Sequence, residues 1–270
     1  MKHILNIPGW MFSTLSRKRI LTAFLYIGLV AVFSGCDSED ATDCLQTDGD
    51  AITRTLELPF FNKVRTENDI RLEITQGDTQ HIIIETRENL FNDLVFKVED
   101  ETFIMQNKNG CNIFRDFGRT LVRITVPNLT FIKNSATYEI RSNGTLTFPN
   151  VQLESVTTPG IESANKTGDF FLDFESERIT IVANGMSDFY ITGTTELLNV
   201  NFSDEFPTLF GENLIAQDVI VQHVGAAPMI VNPQLSITGA IRATGDVIAK
   251  NQPPIIDVEE LFTGRLLFEE

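Results

Sequence analysis

Short runs that alternate apolar and polar residues fill the chain from residue 55 to residue 127. This alternation is the period of a half-buried β-strand. Polar turns such as Gln76 to Thr79 separate the runs, and Pro127 ends the last of them. The pattern predicts hairpins, so an antiparallel β layer is expected over 55–127. The runs occupy residues 70–75, 81–85, 94–98, 103–106 and 121–126.

The residues that separate the apolar runs change after Pro127, where Gly or Asn-Gly recurs between short apolar runs. Three of these runs begin at Ile179, Leu198 and Val219, so they are spaced by 19 and 21 residues. A repeat of about 20 residues made only of strands and turns predicts a right-handed parallel β-helix-like solenoid over 128–270. A β-sandwich is the competing interpretation, because it also has frequent turns.

Phenylalanine dominates the aromatic content, with 21 Phe against 3 Tyr and 1 Trp. Phe carries no polar atom and suits a dry core. We expect Phe residues to stack inside the solenoid, and the C-terminal run 261–268 to form a closing hairpin or cap over the last strand edge. The Phe residues expected in the stack are Phe131, Phe148, Phe170, Phe189 and Phe202.

The N-terminal 35 residues have the features of a secretory signal. Arg17-Lys18-Arg19 precedes sixteen uncharged residues that end in Ser34-Gly35. This segment is short for a membrane span, which needs about 20 apolar residues. Residues 1–35 are therefore expected to be a signal peptide, with Met1 or Met11 as the start.

Cys36 follows Ser34-Gly35, and this arrangement resembles the bacterial lipobox, with Phe33 in place of the usual Leu. We predict acylation of Cys36 by chains such as palmitate, which anchor a protein in a bilayer. An ordinary cleaved signal with an unmodified Cys36 is the alternative. The acidic segment 36–54 predicts a flexible tether and resembles an export signal for the outer face of the outer membrane. Surface display is favoured over a periplasmic orientation.

Two cysteines remain if Cys36 carries lipid. Cys44 and Cys111 could form a disulfide in the oxidising cell envelope, or they could be two free thiols. No Cys or His spacing typical of a zinc site occurs in the sequence.

The net charge of −16 excludes some partners. Removal of residues 1–35 takes away four positive charges and no negative one, which gives −20 for the processed chain. Such an acidic protein repels nucleic acid and anionic headgroups. The expected partners are therefore the bilayer, through Cys36, and a glycan or protein ligand.

From residue 55 to residue 268 the chain resembles the head GIN domain family of Bacteroidetes-type envelope lipoproteins, described as auto-transporter adhesins. The resemblance rests on the opening run 70–78, the strand pair near 94–105, the strand that ends at Pro127 and the Gly-Asp β repeats that follow. It implies a β-helix-like fold and an envelope location, and no active site. The family's Ser-Gly-x-Gly turns are replaced here, for example by Asn184-Gly185-Met186.

Candidate chemistry is sparse outside this resemblance. His81 and His223 lie in or beside predicted strands and no catalytic motif surrounds them. Aligned acids on successive rungs could bind Ca²⁺ weakly or form a glycosidase-like pair, although Asp is also an ordinary turn residue. We predict no catalytic residue and no required cofactor. The acids considered are Asp169, Asp173, Glu175, Asp188, Asp204 and Glu205.

The sequence thus predicts an all-β, non-catalytic, lipid-anchored protein of the cell envelope that acts in adhesion or binding. Two alternatives differ in class. One is a carbohydrate-active β-helix enzyme, which would need carboxylates together with Lys or Arg in one groove. The other is a structural or assembly factor of the envelope, which would have a stable protein partner.

Overall fold

The computed structural model describes residues 46–111, 116–157, 165–204 and 206–269. These residues form seventeen strands and one short 3-10 helix, Glu88–Asp93, so the predicted all-β class is confirmed. The first seven strands are β1 (Ala51–Leu56), β2 (Lys63–Asn68), β3 (Ile70–Gln76), β4 (His81–Arg87), β5 (Leu94–Glu99), β6 (Thr102–Asn107) and β7 (Thr120–Val126).

The remaining strands include four long ones of 13 to 16 residues, β11 to β14. In chain order they are β8 (Phe131–Ala136), β9 (Ile140–Leu146), β10 (Asn150–Ser155), β11 (Phe170–Ala183), β12 (Asp188–Phe202), β13 (Thr208–His223), β14 (Met229–Ile241), β15 (Val247–Ala249), β16 (Ile255–Glu260) and β17 (Leu266–Phe268).

The strands belong to one mixed sheet that curls round on itself. We call its two opposing walls face A and face B. Each long strand contributes one half to each wall, because its two halves pair with different strands. Face A contains, in order of pairing, β5, β6, β2, β8, β10, the C-terminal halves of β11 to β14, and β16. Face B contains β1, β4, β7, β3, β9, the N-terminal halves of β11 to β14, β15 and β17. From β11 onward the chain therefore passes alternately through face B and face A.

The repeat found in the sequence sets the register of the long strands. Ile179 of β11 pairs with Leu198 of β12, and Leu198 pairs with Val219 of β13. Both pairings are parallel, with the offsets of 19 and 21 residues that the spacing predicted. Parallel pairing of consecutive strands contradicts the β-sandwich alternative, whose sheets are antiparallel. The right-handed winding of the repeat stays a prediction.

One hydrophobic core lies between the two faces, built from the inward residues of both. Phe148, Phe170, Phe189 and Phe202 are completely buried in it. The rings of Phe170 and Phe189 stack with their centroids 4.6 Å apart, and Phe202 lies 5.9 Å from Phe189. Burial inside the core is therefore confirmed for these four residues, and ring stacking is confirmed for Phe170 and Phe189. Phe131 differs, because it lies on the outer side of β8 and is only half-buried.

The long strands bend where they pass from face B to face A, and the burial pattern records the bend. In β11 the alternation breaks over residues 175–178, which are mostly exposed, and then resumes. In β12 the bend contains Gly193, with φ of +103°. A Cβ at this position would lie 1.9 Å from the carbonyl oxygen of Phe174 on the neighbouring strand β11. Only glycine permits this close approach of two backbones.

The N-terminal part contains all three antiparallel pairings of the described residues. The antiparallel layer expected over 55–127 is nevertheless only partly correct, because β2 pairs in parallel with β6 and β3 pairs in parallel with β7. The predicted hairpin of runs 94–98 and 103–106 is confirmed as β5 with β6. The hairpin predicted from runs 70–75 and 81–85 is wrong, because β3 and β4 lie on opposite sides of β7. Adjacent runs in the sequence are thus separated by a strand that is distant along the chain.

Two boundary predictions also need correction. The segment 36–54 is not a tether throughout, since β1 begins at Ala51 and Gln46 is buried. The closing hairpin expected over 261–268 is wrong, because β16 and β17 do not pair with each other. Instead β16 extends face A beside β14, and β17 extends face B beside β15. Both strands follow the parallel repeat to the end of the described chain.

Candidate functional site

The predicted site residues near the N-terminus lie mostly outside the described residues. Cys36 and Cys44 belong to this group, so acylation of Cys36 stays a prediction. Cys111 is described, and it is disulfide-bonded. Its partner lies outside the described residues, so the pairing with Cys44 stays a prediction as well.

The two histidines occupy different environments. His81 is exposed at the start of β4, whereas His223 is completely buried at the end of β13. The Nε2–H group of His223 donates a hydrogen bond of 2.9 Å to the carbonyl of Ala227. Burial lowers the pKa of His223, and that hydrogen bond opposes the change. His223 is therefore a neutral core residue at a turn.

Two of the turn aspartates have a structural role in the repeat. Asp169 accepts a hydrogen bond from the backbone N–H of Asp188, 19 residues later, at 2.9 Å. Asp246 accepts the equivalent bond from the backbone N–H of Arg265, also 19 residues later, at 2.8 Å. Each carboxylate thus ties its turn to the next one. Across the described ranges, no three His, Cys, Asp or Glu side chains form a group that could hold a metal ion.

An outward column of apolar residues crosses the C-terminal half of face B, and we call it the apolar strip. Each member comes from a different strand and pairs in register with the next. All of them are half-buried except the last, which is 44% exposed. At about 4.8 Å between strands, the column is about 24 Å long. It consists of Phe171, Tyr190, Phe210, Ile230, Ile248 and Leu267.

The three aromatic rings of the apolar strip stand on the sheet and face one another. Phe171 and Tyr190 are 4.6 Å apart and within 3° of parallel, and Tyr190 and Phe210 are 4.6 Å apart and within 6°. The guanidinium of Arg141 lies 4.0 Å from the ring centroid of Phe171 and covers its other side. Both faces of Phe171 and Tyr190 and one face of Phe210 are therefore occupied, and the strip presents mainly ring edges and aliphatic side chains to solvent.

Carboxylates flank the apolar strip on both sides. Asp188 lies two residues before Tyr190 on one side, close to Asp169. Burial raises the pKa of Asp169, the Asp188 N–H bond opposes this change, and the charge of Asp188 adds to it. The pKa of Tyr190 is also raised, first by burial and then by the charge of Asp188. Negative charge is thus crowded along this side of the strip.

On the other side, Asp173 is held in position by two hydroxyl groups. Thr192 donates a hydrogen bond of 2.8 Å to one carboxylate oxygen, and Thr145 donates one of 2.5 Å to the other. Glu212 lies farther along the same side, two residues after Phe210. Its Oε2 atom is buried and, within the described part of the chain, has no hydrogen-bond partner.

A groove of about 370 Å³ lies beyond these residues, where β11, β12 and β13 bend between the faces, and we call it the bend groove. Three carboxylates line it, from Glu175, Glu177 and Glu196. No Lys or Arg side chain of the described residues lines the groove. Its other lining residues are Thr147, Pro149, Ser176, Thr194, Thr195, Ile215 and Gln217.

The structure divides the acids considered from the sequence between the two sides of the apolar strip. Asp173, Glu175 and Asp188 lie on the apolar strip side of β11 and β12, whereas Asp204 lies in a turn and Glu205 is outside the described residues. The sequence reading missed the apolar strip itself. A signal was present, since Phe171, Tyr190 and Phe210 are spaced by 19 and 20 residues, close to the 19 and 21 residues of the repeat.

Solved structures similar to this chain share its fold. A putative adhesin from Bacteroides fragilis matches with a TM-score of 0.71 and 20% identity, over 82% of this chain and 97% of that one. A putative adhesin from Parabacteroides merdae matches with a TM-score of 0.55 and 16% identity, over 83% and 98%. A putative lipid binding protein from Parabacteroides distasonis matches with a TM-score of 0.55 and 14% identity, over 82% and 98%. No curated protein matches the chain.

The family model described as "Putative auto-transporter adhesin, head GIN domain" matches residues 60–253. Within the described ranges, no helix has the length and apolar character needed to cross a membrane. The match covers most of the domain expected at 55–270, including the whole of strands β2 to β15. The chain belongs to the head GIN domain family.

Proposed function

We propose that this protein is a lipid-anchored, non-catalytic binding module of the outer membrane that is exposed at the cell surface and acts in adhesion. The observation that carries the proposal is the apolar strip, an outward band of six apolar residues on a chain of net charge −16. Contiguous apolar surface flanked by polar residues is typical of interaction sites. The adhesin description of the family supports the same role.

Attachment to the membrane through Cys36 rests on the signal-like segment and the lipobox resemblance. Protease treatment of intact cells that produce the wild-type protein or Cys36→Ala tests this part of the proposal. We expect the wild-type protein to be membrane-bound and degraded from outside, and the Cys36→Ala protein to leave the membrane. Protection of the wild-type protein together with membrane retention of the variant would contradict it.

The residues that line the bend groove give less support to the alternative function, a carbohydrate-active enzyme, than to a binding module. Glu177 and Glu196 are carboxylates on adjacent strands, but the described lining lacks the Lys or Arg that such an enzyme was expected to place beside them. A lipid-binding role, suggested by the description of one similar structure, is disfavoured because carboxylates flank the apolar strip and repel anionic headgroups.

The adhesion assay compares intact cells that display the wild-type protein, Tyr190→Ser/Phe210→Ser or Ile220→Ser. Ile220 is a matched control, because it is a half-buried, outward apolar residue of β13 on face A. We expect the double variant to reduce attachment to immobilised mucin or fibronectin at equal surface abundance, and the control to leave it unchanged. Equal attachment by all three would contradict the proposal, and a stable envelope protein copurifying equally with all three would favour an assembly factor.

A further inference from the structure

The shape of the apolar strip restricts what can bind to it. The strip is straight and about 24 Å long, because its residues pair in register on six parallel strands. An extended polypeptide rises about 3.3 Å per residue, so about seven residues would follow the strip from end to end. Half of their side chains, those on one side of the extended chain, would contact it.

The orientation of the rings argues against a stacked sugar. A sugar ring or a cation that packs on an aromatic residue needs a free ring face. Here Phe171 lies between Arg141 and Tyr190, and Tyr190 lies between Phe171 and Phe210. The accessible edges and the aliphatic residues beyond them favour contact with apolar side chains instead.

The charge around the apolar strip selects the polar groups of the ligand. Asp188 lies along one side, and Asp173 and Glu212 lie along the other, with the bend groove beyond them. Glu212 adds a further carboxylate on that side, although its Oε2 atom is buried. Three bases on the strands of the strip or beside them are paired with acids: Arg141 with Glu139, Lys250 with Glu269, and Arg265 with Glu260. A cationic ligand therefore complements this surface.

We infer that the apolar strip and the bend groove together bind an extended polypeptide segment in which apolar and basic side chains alternate. The apolar side chains lie on the strip, and the Lys or Arg side chains reach Asp173 and the carboxylates of the bend groove. This inference rests on the proposed function, since it names the ligand class for the same face. It adds that the adhesion partner is a protein with a basic, strand-like segment.

The test uses the full-length protein in detergent and a fluorescent peptide of four Val-Lys repeats, with binding measured by anisotropy. A peptide of four Val-Glu repeats is the charge control. We expect the Val-Lys peptide to bind at least tenfold more tightly than the Val-Glu peptide, and its affinity to fall as salt rises. Equal affinity for the two peptides would overturn the inference.

Variants locate the binding site. Tyr190→Ser/Phe210→Ser should weaken binding of the Val-Lys peptide at least tenfold, whereas the face A control Ile220→Ser should change it less than twofold. Glu175→Gln/Glu177→Gln/Glu196→Gln should weaken it at least tenfold and reduce the salt dependence. Thermal unfolding of each variant confirms that the protein is folded. Unchanged binding in folded double and triple variants would overturn the inference.

Two further probes separate this ligand class from others. Oligomers of glucosamine carry positive charge on a sugar chain, and anionic lipid vesicles present a headgroup surface. We expect neither to compete with the Val-Lys peptide. Binding of either probe that is lost in Tyr190→Ser/Phe210→Ser, without peptide binding, would replace the inference with a glycan or lipid ligand. If cell attachment falls in Tyr190→Ser/Phe210→Ser but the Val-Lys peptide does not bind, only the ligand class is overturned. If cell attachment is the same in the wild-type protein and in Tyr190→Ser/Phe210→Ser, the proposed function itself is contradicted.

Discussion

Face A and face B are built from the same four long strands, yet their outer surfaces differ. The outward column of face A reads Thr180, Asn199, Ile220 and Thr238 along β11 to β14. The equivalent column of face B reads Phe171, Tyr190, Phe210 and Ile230. Both columns are half-buried and pair in parallel.

The difference separates what the fold requires from what it permits. The sheet forms with mostly polar residues outside on face A, so parallel pairing at this position does not need an aromatic column. Face B itself makes the same point in its N-terminal half, where Arg123 pairs with Glu73 and Glu85 across neighbouring strands. The apolar strip is therefore the part of the exterior that folding explains least, which is the reason for placing the binding function there.

The largest expected loss of stability tests whether face A and face B pack on one common hydrophobic core. Phe189 begins β12 on face B and contacts Phe202, which ends β12 on face A. Replacement by Ala removes a completely buried ring and leaves a cavity, so Phe189→Ala should lower the free energy of unfolding by about 3–5 kcal/mol. Urea denaturation checks the value. A loss below about 1 kcal/mol would mean that the faces are not packed on a common core.

Buried and exposed ion pairs should respond differently on the two faces. Lys133 on face A pairs with Glu154 at 2.5 Å, and their side chains are only 6% and 16% exposed. Lys133→Ala leaves Glu154 without this partner in a partly dry site, so it should cost about 2–3 kcal/mol, near the lower end for buried pairs.

Arg123 on face B is the comparison for Lys133. Its side chain is 39% exposed, so water screens its pairs with Glu73 and Glu85. Arg123→Ala should therefore cost less than about 1 kcal/mol in the same urea experiment. Equal losses for the two variants would show that the outer side of face A is as hydrated at Lys133 as face B is at Arg123.

The fold was predictable to the extent that one rung resembles the next. The spacing of Ile179, Leu198 and Val219 gave the register directly, because parallel strands of a repeat align equivalent residues. The N-terminal part lacks that regularity. There β7 inserts between β3 and β4, and local alternation cannot distinguish a neighbour in sequence from a neighbour in space.

The candidate site was less predictable, for a physical reason. Inward and outward residues of a strand alternate, so the spacing of 19 and 20 residues between Phe171, Tyr190 and Phe210 is also the spacing of the buried column beside them. Phe170 and Phe189 lie one residue away and are buried. Phe is apolar in both columns, and only the direction of each side chain separates the core stack from the surface strip.

A smaller effect concerns the ionisation of an interior group near face A. His223 is buried, and its pKa is lowered from 6.5 mainly by burial, with opposing contributions from the Ala227 hydrogen bond and Asp246. The unfolded chain therefore binds a proton below about pH 6.5 that the folded chain does not. The contribution of His223 to the free energy of unfolding should be fully present above that pH. It should fall as pH decreases below it, with a slope of at most about 1.4 kcal/mol per pH unit.

The His223→Gln variant isolates this contribution, because it removes the imidazole and leaves every other ionisable residue in place. We expect the wild-type free energy of unfolding to fall by about 1 kcal/mol more than that of His223→Gln between pH 7 and pH 5. Asp169 acts in the opposite direction, since its raised pKa lets the folded state take up a proton first as pH falls. Parallel pH profiles for the two proteins would show that His223 is not desolvated in solution.

A pair of single changes in β12, one on each face, includes the smallest expected change in stability. This pair also separates the structural role of the apolar strip from its binding role most directly. Tyr190→Thr places on face B the type of residue that face A has in its outer column, and Asn199→Thr is the matched change in the same strand. Loss of two ring contacts should cost Tyr190→Thr about 1 kcal/mol, and Asn199→Thr should change stability by less than about 0.5 kcal/mol. A loss above about 3 kcal/mol for Tyr190→Thr would mean that the aromatic column is needed to hold the strands together. A loss near 1 kcal/mol, with attachment reduced in the same variant, would identify the apolar strip as surface that the fold can lose and the binding function cannot.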